Sequence, residues 1–109
     1  MSSVEQQTEL PQPARSEIRI EQVLAALGDP VRLLFVRELA KEPPAVGVAC
    51  GTIPLPVTKS TRTHHLRILR EAGIISMRAE GTRRMAVLRR DDLDALYPGL
   101  LDGILGAPH

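Results

Sequence analysis

The sequence is poor in aromatic residues and nearly devoid of thiols. It has no Trp, one Phe, one Tyr and one Cys in 109 residues. A single Cys excludes an internal disulfide framework and fits a reducing cytosol. The core must be aliphatic, drawn from the 43% of residues that are hydrophobic. No run of about 18 apolar residues occurs, so no segment reads as a membrane-spanning helix. The first residues, MSSVEQQTELPQPARS, lack the apolar stretch of a signal peptide and carry two prolines. Residues 1–16 are therefore expected to be a disordered arm, and 17–106 one folded, cytoplasmic domain. A chain this short often gains stability by pairing with a copy of itself.

Charge is missing from whole segments. Residues 43–57, PPAVGVACGTIPLPV, carry none, and residues 91–109 carry four Asp but no Lys or Arg. Residues 1–58 hold five basic and seven acidic residues. Positive charge is gathered between 59 and 90, where nine basic residues (Lys59, Arg62, Arg67, Arg70, Arg78, Arg83, Arg84, Arg89, Arg90) face only Glu71 and Glu80. A net +7 in that segment, within a chain of net +1, is the footprint of a face that binds a polyanion. An ordinary solvated surface mixes its signs and needs no such segregation.

Hydrophobic spacing supplies the elements. Ile20, Val23, Leu24 and Leu27 mark one face of a helix over 17–27, which Gly28 can end. Asp29-Pro30 is a helix start, an N-cap followed by proline at the first position. The helix it opens, about 30–41, is apolar around much of its girth and reads as the central one. Four prolines and two glycines in 43–57 allow a short turn around Ala45–Cys50 and an extended Ile53–Val57. A helix restarts near Ser60 and closes at Gly73. Two short runs around Glu80-Gly81-Thr82 read as a β-hairpin with a basic second strand. Asp91 or Asp92 caps a last helix whose stripe is Leu93, Leu96, Tyr97, Leu100, Leu101, Ile104 and Leu105. Pro98-Gly99 predicts a break within it.

His64 and His65 stand side by side in STRTHHLRILREAGII. Successive helical side chains point about 100° apart, so the two cannot chelate one ion from a helix. His65 falls with Leu66, Ile68, Leu69 and Ala72 on the apolar side and is expected to be a hydrogen-bonded structural residue. Ser60, Thr63, His64, Arg67 and Arg70 fall on the polar side. That side has the chemistry to read DNA. Arg67 can pair with guanine O6 and N7. Thr63 and His64 can bond base edges or phosphates. Ser60 and Thr61 lie at the helix start, where free N–H groups and the dipole favour a phosphate. With Lys59, Arg62, Arg70 and the hairpin's Arg83 and Arg84, these form the expected DNA-binding set.

Three strings, LGDPVRLLFVRELA, KSTRTHHLRILREAGII and AEGTRRMAVLRRDDLDAL, resemble the ArsR/SmtB family of bacterial repressors over roughly residues 20–105. The resemblance implies a mainly α winged helix-turn-helix with a small β-hairpin. Its recognition helix would be 60–72 and its basic wing 76–90. It implies a homodimer joined through the terminal helices, with Ile20, Val23, Leu24, Leu93, Leu96, Tyr97, Leu100, Leu101 and Ile104 at the contact. Thr63, His64 and Arg67 match DNA-contacting positions, His65 a structural one, and Arg83 and Arg84 the wing. The partner would be a pseudo-palindromic double-stranded DNA operator.

The chain departs from the family in two places. Prolines and glycines occupy about 45–55, where the family has the first helix of its DNA-reading pair. Thiolate sensors of the family carry Cys-x-Cys there; this chain has Val48-Ala49-Cys50. A lone Cys among small apolar residues reads as a buried hydrophobe, with a redox-sensing thiol as the sharper alternative. No cofactor is required. Zinc or nickel as an effector would need N/O ligands from Asp92, Asp94, Asp102 and His109. Two other function classes remain, a winged-helix module that binds protein and an enzyme. The first has no use for +7; the second lacks paired carboxylates, a nucleophile–base motif or a phosphate loop in the basic half.

Overall fold

The computed structural model describes residues 7–43 and 46–108. The Asp-Pro start works as its chemistry dictates. Asp29 Oδ1 accepts from the N–H groups of Val31 at 2.8 Å and Arg32 at 3.1 Å, and Pro30 occupies the first helical position. Partial burial pushes the Asp29 carboxyl up, but those two N–H groups and the nearby Arg32 guanidinium outweigh it. The net effect holds it below the usual carboxylate value. The helix so begun, α2 (Pro30–Leu39), follows α1 (Ile20–Leu27), which ends at Gly28. Both turn buried faces to the core, Val23, Ala26 and Leu27 from α1 and Phe35, Val36 and Leu39 from α2.

Thr58, two residues before the expected start, caps α3 (Lys59–Glu71). Its Oγ1 accepts from the Thr61 N–H at 3.3 Å. The helix closes in a Schellman turn. The Gly73 N–H reaches Arg70 O at 3.1 Å and the Ile74 N–H reaches Leu69 O at 3.0 Å, with Leu69 and Ile74 both fully buried. Gly73 has φ 85°, and a Cβ there would lie 2.5 Å from Ile18 Cγ1. Backbone conformation and packing both require glycine here.

The turn delivers the chain into β3 (Ile75–Glu80). After Gly81-Thr82 it returns as β4 (Arg83–Leu88), with Ile75 opposite Leu88 and Glu80 opposite Arg83. The expected hairpin is therefore present. Two short strands flank it, β1 (Gln7–Glu9) on β3 and β2 (Val48–Ala49) on β4, in the antiparallel order β1-β3-β4-β2. The last helix is broken at Pro98-Gly99, where Gly99 has φ 85°, into α4 (Arg90–Leu96) and α5 (Leu100–Leu105). Asp91 and Asp92 lie inside the first turn of α4 instead of capping it. Helices carrying a small sheet with an extended hairpin make a winged helix-turn-helix. Among the described residues, no helix is long and apolar enough to cross a membrane.

Two sequence expectations are corrected. Residues 7–16 are not a loose arm. Beyond β1, the Leu10 N–H reaches Met77 O at 3.0 Å and Gln12 Oε1 accepts from the Met77 N–H at 3.2 Å. Arg89 donates to Pro13 O at 2.6 Å, and Arg15 pairs with Asp92 at 2.7 Å. The segment has no core of its own, but distant arginines and a sheet edge supply partners. Residues 1–6 lie outside the described residues. Residues 43–57 follow the expectation: among the described residues they hold no regular helix. β2 leads to a single 3-10 turn, Cys50–Thr52, and then to an extended Ile53 with bends at Pro56 and Val57; Cys50 and Ile53 are buried. Within the turn expected around Ala45–Cys50, residues 44–45 are outside the described set. Finally, Val23, Leu93 and Leu101 are 0%, 1% and 1% exposed. They belong to the single chain's own core and present no surface to a partner.

Candidate nucleic-acid interface

α3 presents the phase its sequence predicts. Leu66, Leu69 and the following Ala72 are buried, while Lys59, Ser60, Thr63, His64 and Arg67 are exposed. The histidines diverge, with ring centroids 5.9 Å apart and planes tilted by 51°. His65 is half-buried, its Nδ1 3.1 Å from Arg32 Nη1. A guanidinium only donates, so Nδ1 accepts and the ring's proton sits on Nε2. Arg32 also donates through Nε to Ala26 O at 2.6 Å. His65 thereby ties α3 to the junction of α1 and α2, the structural role expected of it.

Between α3 and the hairpin lies a groove of about 840 Å³. It gathers Lys59, Arg62, Thr63, Arg67 and Arg70 from α3 and Arg83 and Arg84 from β4. Ser60, Thr61 and His64, on the same helix, lie outside it. The groove's cations divide into two classes. Arg62 donates through Nη1 to Cys50 O at 2.9 Å and Ile53 O at 2.7 Å, and Arg70 donates to Pro11 O. Lys59, Arg67, Arg83 and Arg84 are exposed and have no acid or carbonyl partner among the described residues. Elsewhere in the chain, the other basic side chains do have such partners. Lys41, Arg15, Arg19, Arg78, Arg89 and Arg90 pair with carboxylates, and Arg32 and Arg37 donate to carbonyls. The uncompensated positive charge is thus concentrated around one groove.

The hydroxyls of α3 are partly engaged. Thr61 bonds Thr58 through both its N–H and its Oγ1, so that N–H is not free for a phosphate. Thr63 Oγ1 donates to Lys59 O at 3.1 Å, which leaves its lone pairs facing outward. Sequence patterns give no sign of Leu10, Met77 and Thr82 as groove residues. Leu10 reaches the site through a sheet edge, and no local pattern announces that.

Three of the four Asp carboxylates in 91–109 pair with arginines. Asp92 pairs with Arg15 and Arg89, whose donors hold its carboxyl below the usual range, Arg15 foremost. Asp94 and Asp102 both pair with Arg90, at 3.6 and 2.9 Å. Among the described residues, no group of three or more His, Cys, Asp or Glu comes together to hold a metal; His109 lies outside them. Cys50 is 4% exposed. Burial pushes its thiol up to about 11, with Arg62 and Arg84 opposing. Such a thiol is a poor nucleophile at neutral pH.

No family model matches the chain. Three curated relatives do, and each is named an HTH-type transcriptional regulator. The Bacillus subtilis protein is 31% identical over 86 residues, which is 74% of this chain and 81% of the relative. The Mycobacterium tuberculosis protein is 35% identical over 85 residues, 72% and 78% of the two chains. The Methanocaldococcus jannaschii protein is 39% identical over 62 residues, 56% and 67%. With the winged-helix fold and the basic groove in place, the chain belongs to the HTH-type transcriptional regulators.

Proposed function

We propose that this regulator is a homodimeric, sequence-specific DNA-binding repressor of the ArsR/SmtB type. The observation that carries the reading is the set of four exposed cations, Lys59, Arg67, Arg83 and Arg84, around one groove without counter-charges. A phosphate backbone supplies those charges, and its condensed counterions are released on contact. α3 enters the major groove, with Arg67 on a guanine edge and Thr63 and His64 on base edges or phosphates. Lys59 and Ser60, in the first turn, meet a phosphate, and the wing's Arg83 and Arg84 follow the backbone or minor groove. Thr61, Arg62 and Arg70 act indirectly, through the contacts that hold α3 and the N-terminal segment.

The dimer contact is assigned to the exposed face of α1, where Ile20 and Leu24 are 38% and 50% exposed. The half-buried Leu96, Tyr97, Leu100 and Ile104 near the C-terminus extend it. Two-fold symmetry makes the operator a pseudo-palindrome. The repressor sign follows the ArsR/SmtB resemblance. The test is a titration of the full chain with duplex DNA from upstream of its own gene, with and without zinc, nickel and oxidant. Nanomolar, salt-sensitive binding is expected. No binding to any duplex at low salt would sink the proposal in favour of a protein-interaction module.

A further inference from the structure

We propose that the groove between α3 and the hairpin also binds a small amphipathic anion, an acidic head on an apolar body, and that its occupation excludes DNA. The exclusion rests on the DNA reading above; the ligand site itself does not.

The floor of the groove motivates this. DNA phosphates would use the cations, but an apolar floor offers them nothing. The groove's lining includes the apolar Leu10, Leu66 and Met77, from the segment after β1, from α3 and from β3, taken here as its floor. Leu66 and Met77 are 5% and 7% exposed, and Leu10 is half-buried. Leu10 is held in place. Its N–H bonds Met77 O at 3.0 Å, and the carbonyl of the next residue, Pro11, accepts from Arg70. The N-terminal segment is thus a fixed wall of the site.

Above the floor, cations stand on both sides, Lys59 and Arg67 on α3 and Arg83 and Arg84 on β4. A neutral apolar molecule would leave these charges without a partner. A bare inorganic anion would make no use of the floor. An amphipathic anion satisfies both, and the groove's volume of about 840 Å³ suits a small organic ligand. The head would take the same guanidinium groups that DNA needs. Ligand and operator would then compete, and rising ligand would release the DNA.

The probe is anilinonaphthalene sulfonate, followed by its fluorescence in the full chain, with decanoate, decanol and inorganic phosphate as competitors. We expect saturable one-site binding, displaced by decanoate and by random-sequence duplex DNA but not by decanol or phosphate at equal concentration. Leu10→Asn should weaken the probe about tenfold, as removal of an apolar lining residue predicts. Arg83→Gln with Arg84→Gln should weaken probe and DNA together. Circular dichroism checks the fold, and if Leu10→Asn is unfolded, Leu10→Ala serves in its place. The proposal is overturned if the Leu10 variants bind the probe normally, if phosphate competes as well as decanoate, or if probe and DNA bind together. If no DNA binds while the probe still binds saturably and yields to decanoate but not to decanol or phosphate, the ligand site stands and the DNA reading fails.

Discussion

Arg62 donates through Nη1 to the carbonyl oxygen of Ile53 at 2.7 Å, and through the same nitrogen to that of Cys50 at 2.9 Å. Those carbonyls belong to the irregular segment between α2 and α3. A regular helix would satisfy its carbonyls internally and pack on α3 by its apolar face. Here a 3-10 turn of three residues cannot, and one guanidinium supplies the link. Arg62→Met leaves two carbonyls short of a donor and should cost about 1–3 kcal/mol of stability. It should also weaken DNA binding by loosening the seat of α3. The slope of log affinity against log salt should not change, because the same phosphates stay neutralised. A slope smaller by about 0.9 would mean that Arg62 touches a phosphate directly.

Exposure separates the residues that hold the chain from those that could hold a partner. Leu24 is 50% exposed and Leu101 is 1% exposed. Leu24→Glu should leave a folded protein that light scattering finds monomeric at micromolar concentration. Leu101→Asp puts a carboxylate into the core and should unfold the chain outright, a change visible by circular dichroism. A Leu24→Glu protein that remains dimeric would remove α1 from the interface.

These contrasts show where the sequence is legible. α2 is legible because Asp-Pro is a local chemical signal, and the turn after α3 because glycine is required there. The apolar stripe of α3 predicts which histidine faces inward. Three things are not legible. A stripe says which side is apolar but not whether the chain or a partner covers it, so a stripe alone misplaces Val23 and Leu101. Arg62, Arg67 and Arg70 look alike as charges, and only the carbonyls of Ile53, Cys50 and Pro11 divide them. The order of residues 7–16 depends on Arg70, Met77 and Arg89, far along the chain, and no local pattern reports such partners.

His64 and His65 should respond differently to removal. His65→Ala deletes the acceptor facing Arg32 Nη1 at 3.1 Å and should lower stability by about 1–2 kcal/mol in denaturant titrations. His64 is exposed and bonds nothing among the described residues. His64→Ala should keep the melting temperature and weaken DNA binding. The reverse pattern would mean that the phase of α3 toward DNA is misassigned.

Acid should loosen two anchors. Asp29 and Asp92 are both held below their ordinary carboxylate values, Asp29 by the Arg32 and Val31 N–H groups against opposing burial, Asp92 first by Arg15 and then by Arg89. A depressed folded value stabilises the fold above the unfolded value, near about 4, and that stabilisation is lost as pH falls through the folded value. Thermal melts should therefore show little change between about pH 7 and 5 from these groups and a decline below about 4. Asp92→Asn should flatten part of that decline. An unchanged acid limb in Asp92→Asn would show that the Arg15 and Arg89 pairs contribute nothing to stability in solution.

Arg67 and the wing arginines should fail in different ways when removed. A dimer that places two copies of α3 in successive major grooves spaces its half-sites by about one helical turn, roughly 10 bp. Arg67 is exposed on α3 without a partner of its own, and in the proposed complex it is set on a guanine edge. Arg67→Ala should cost about 1–3 kcal/mol on the best operator and relax the preference at one base pair per half-site, while random DNA binds almost as before. Arg83 and Arg84 sit at the start of β4 beside the Gly81-Thr82 turn, and in the proposed complex they are given the backbone or minor groove. Replacing either with Ala should weaken operator and scrambled DNA alike and lower the salt slope by about 0.9 for each phosphate no longer neutralised. One experiment distinguishes the two, binding of each variant to operator and scrambled duplex across a salt series. If Arg67→Ala weakens both duplexes equally while Arg83→Ala affects only the operator, helix and wing have exchanged the roles assigned to them.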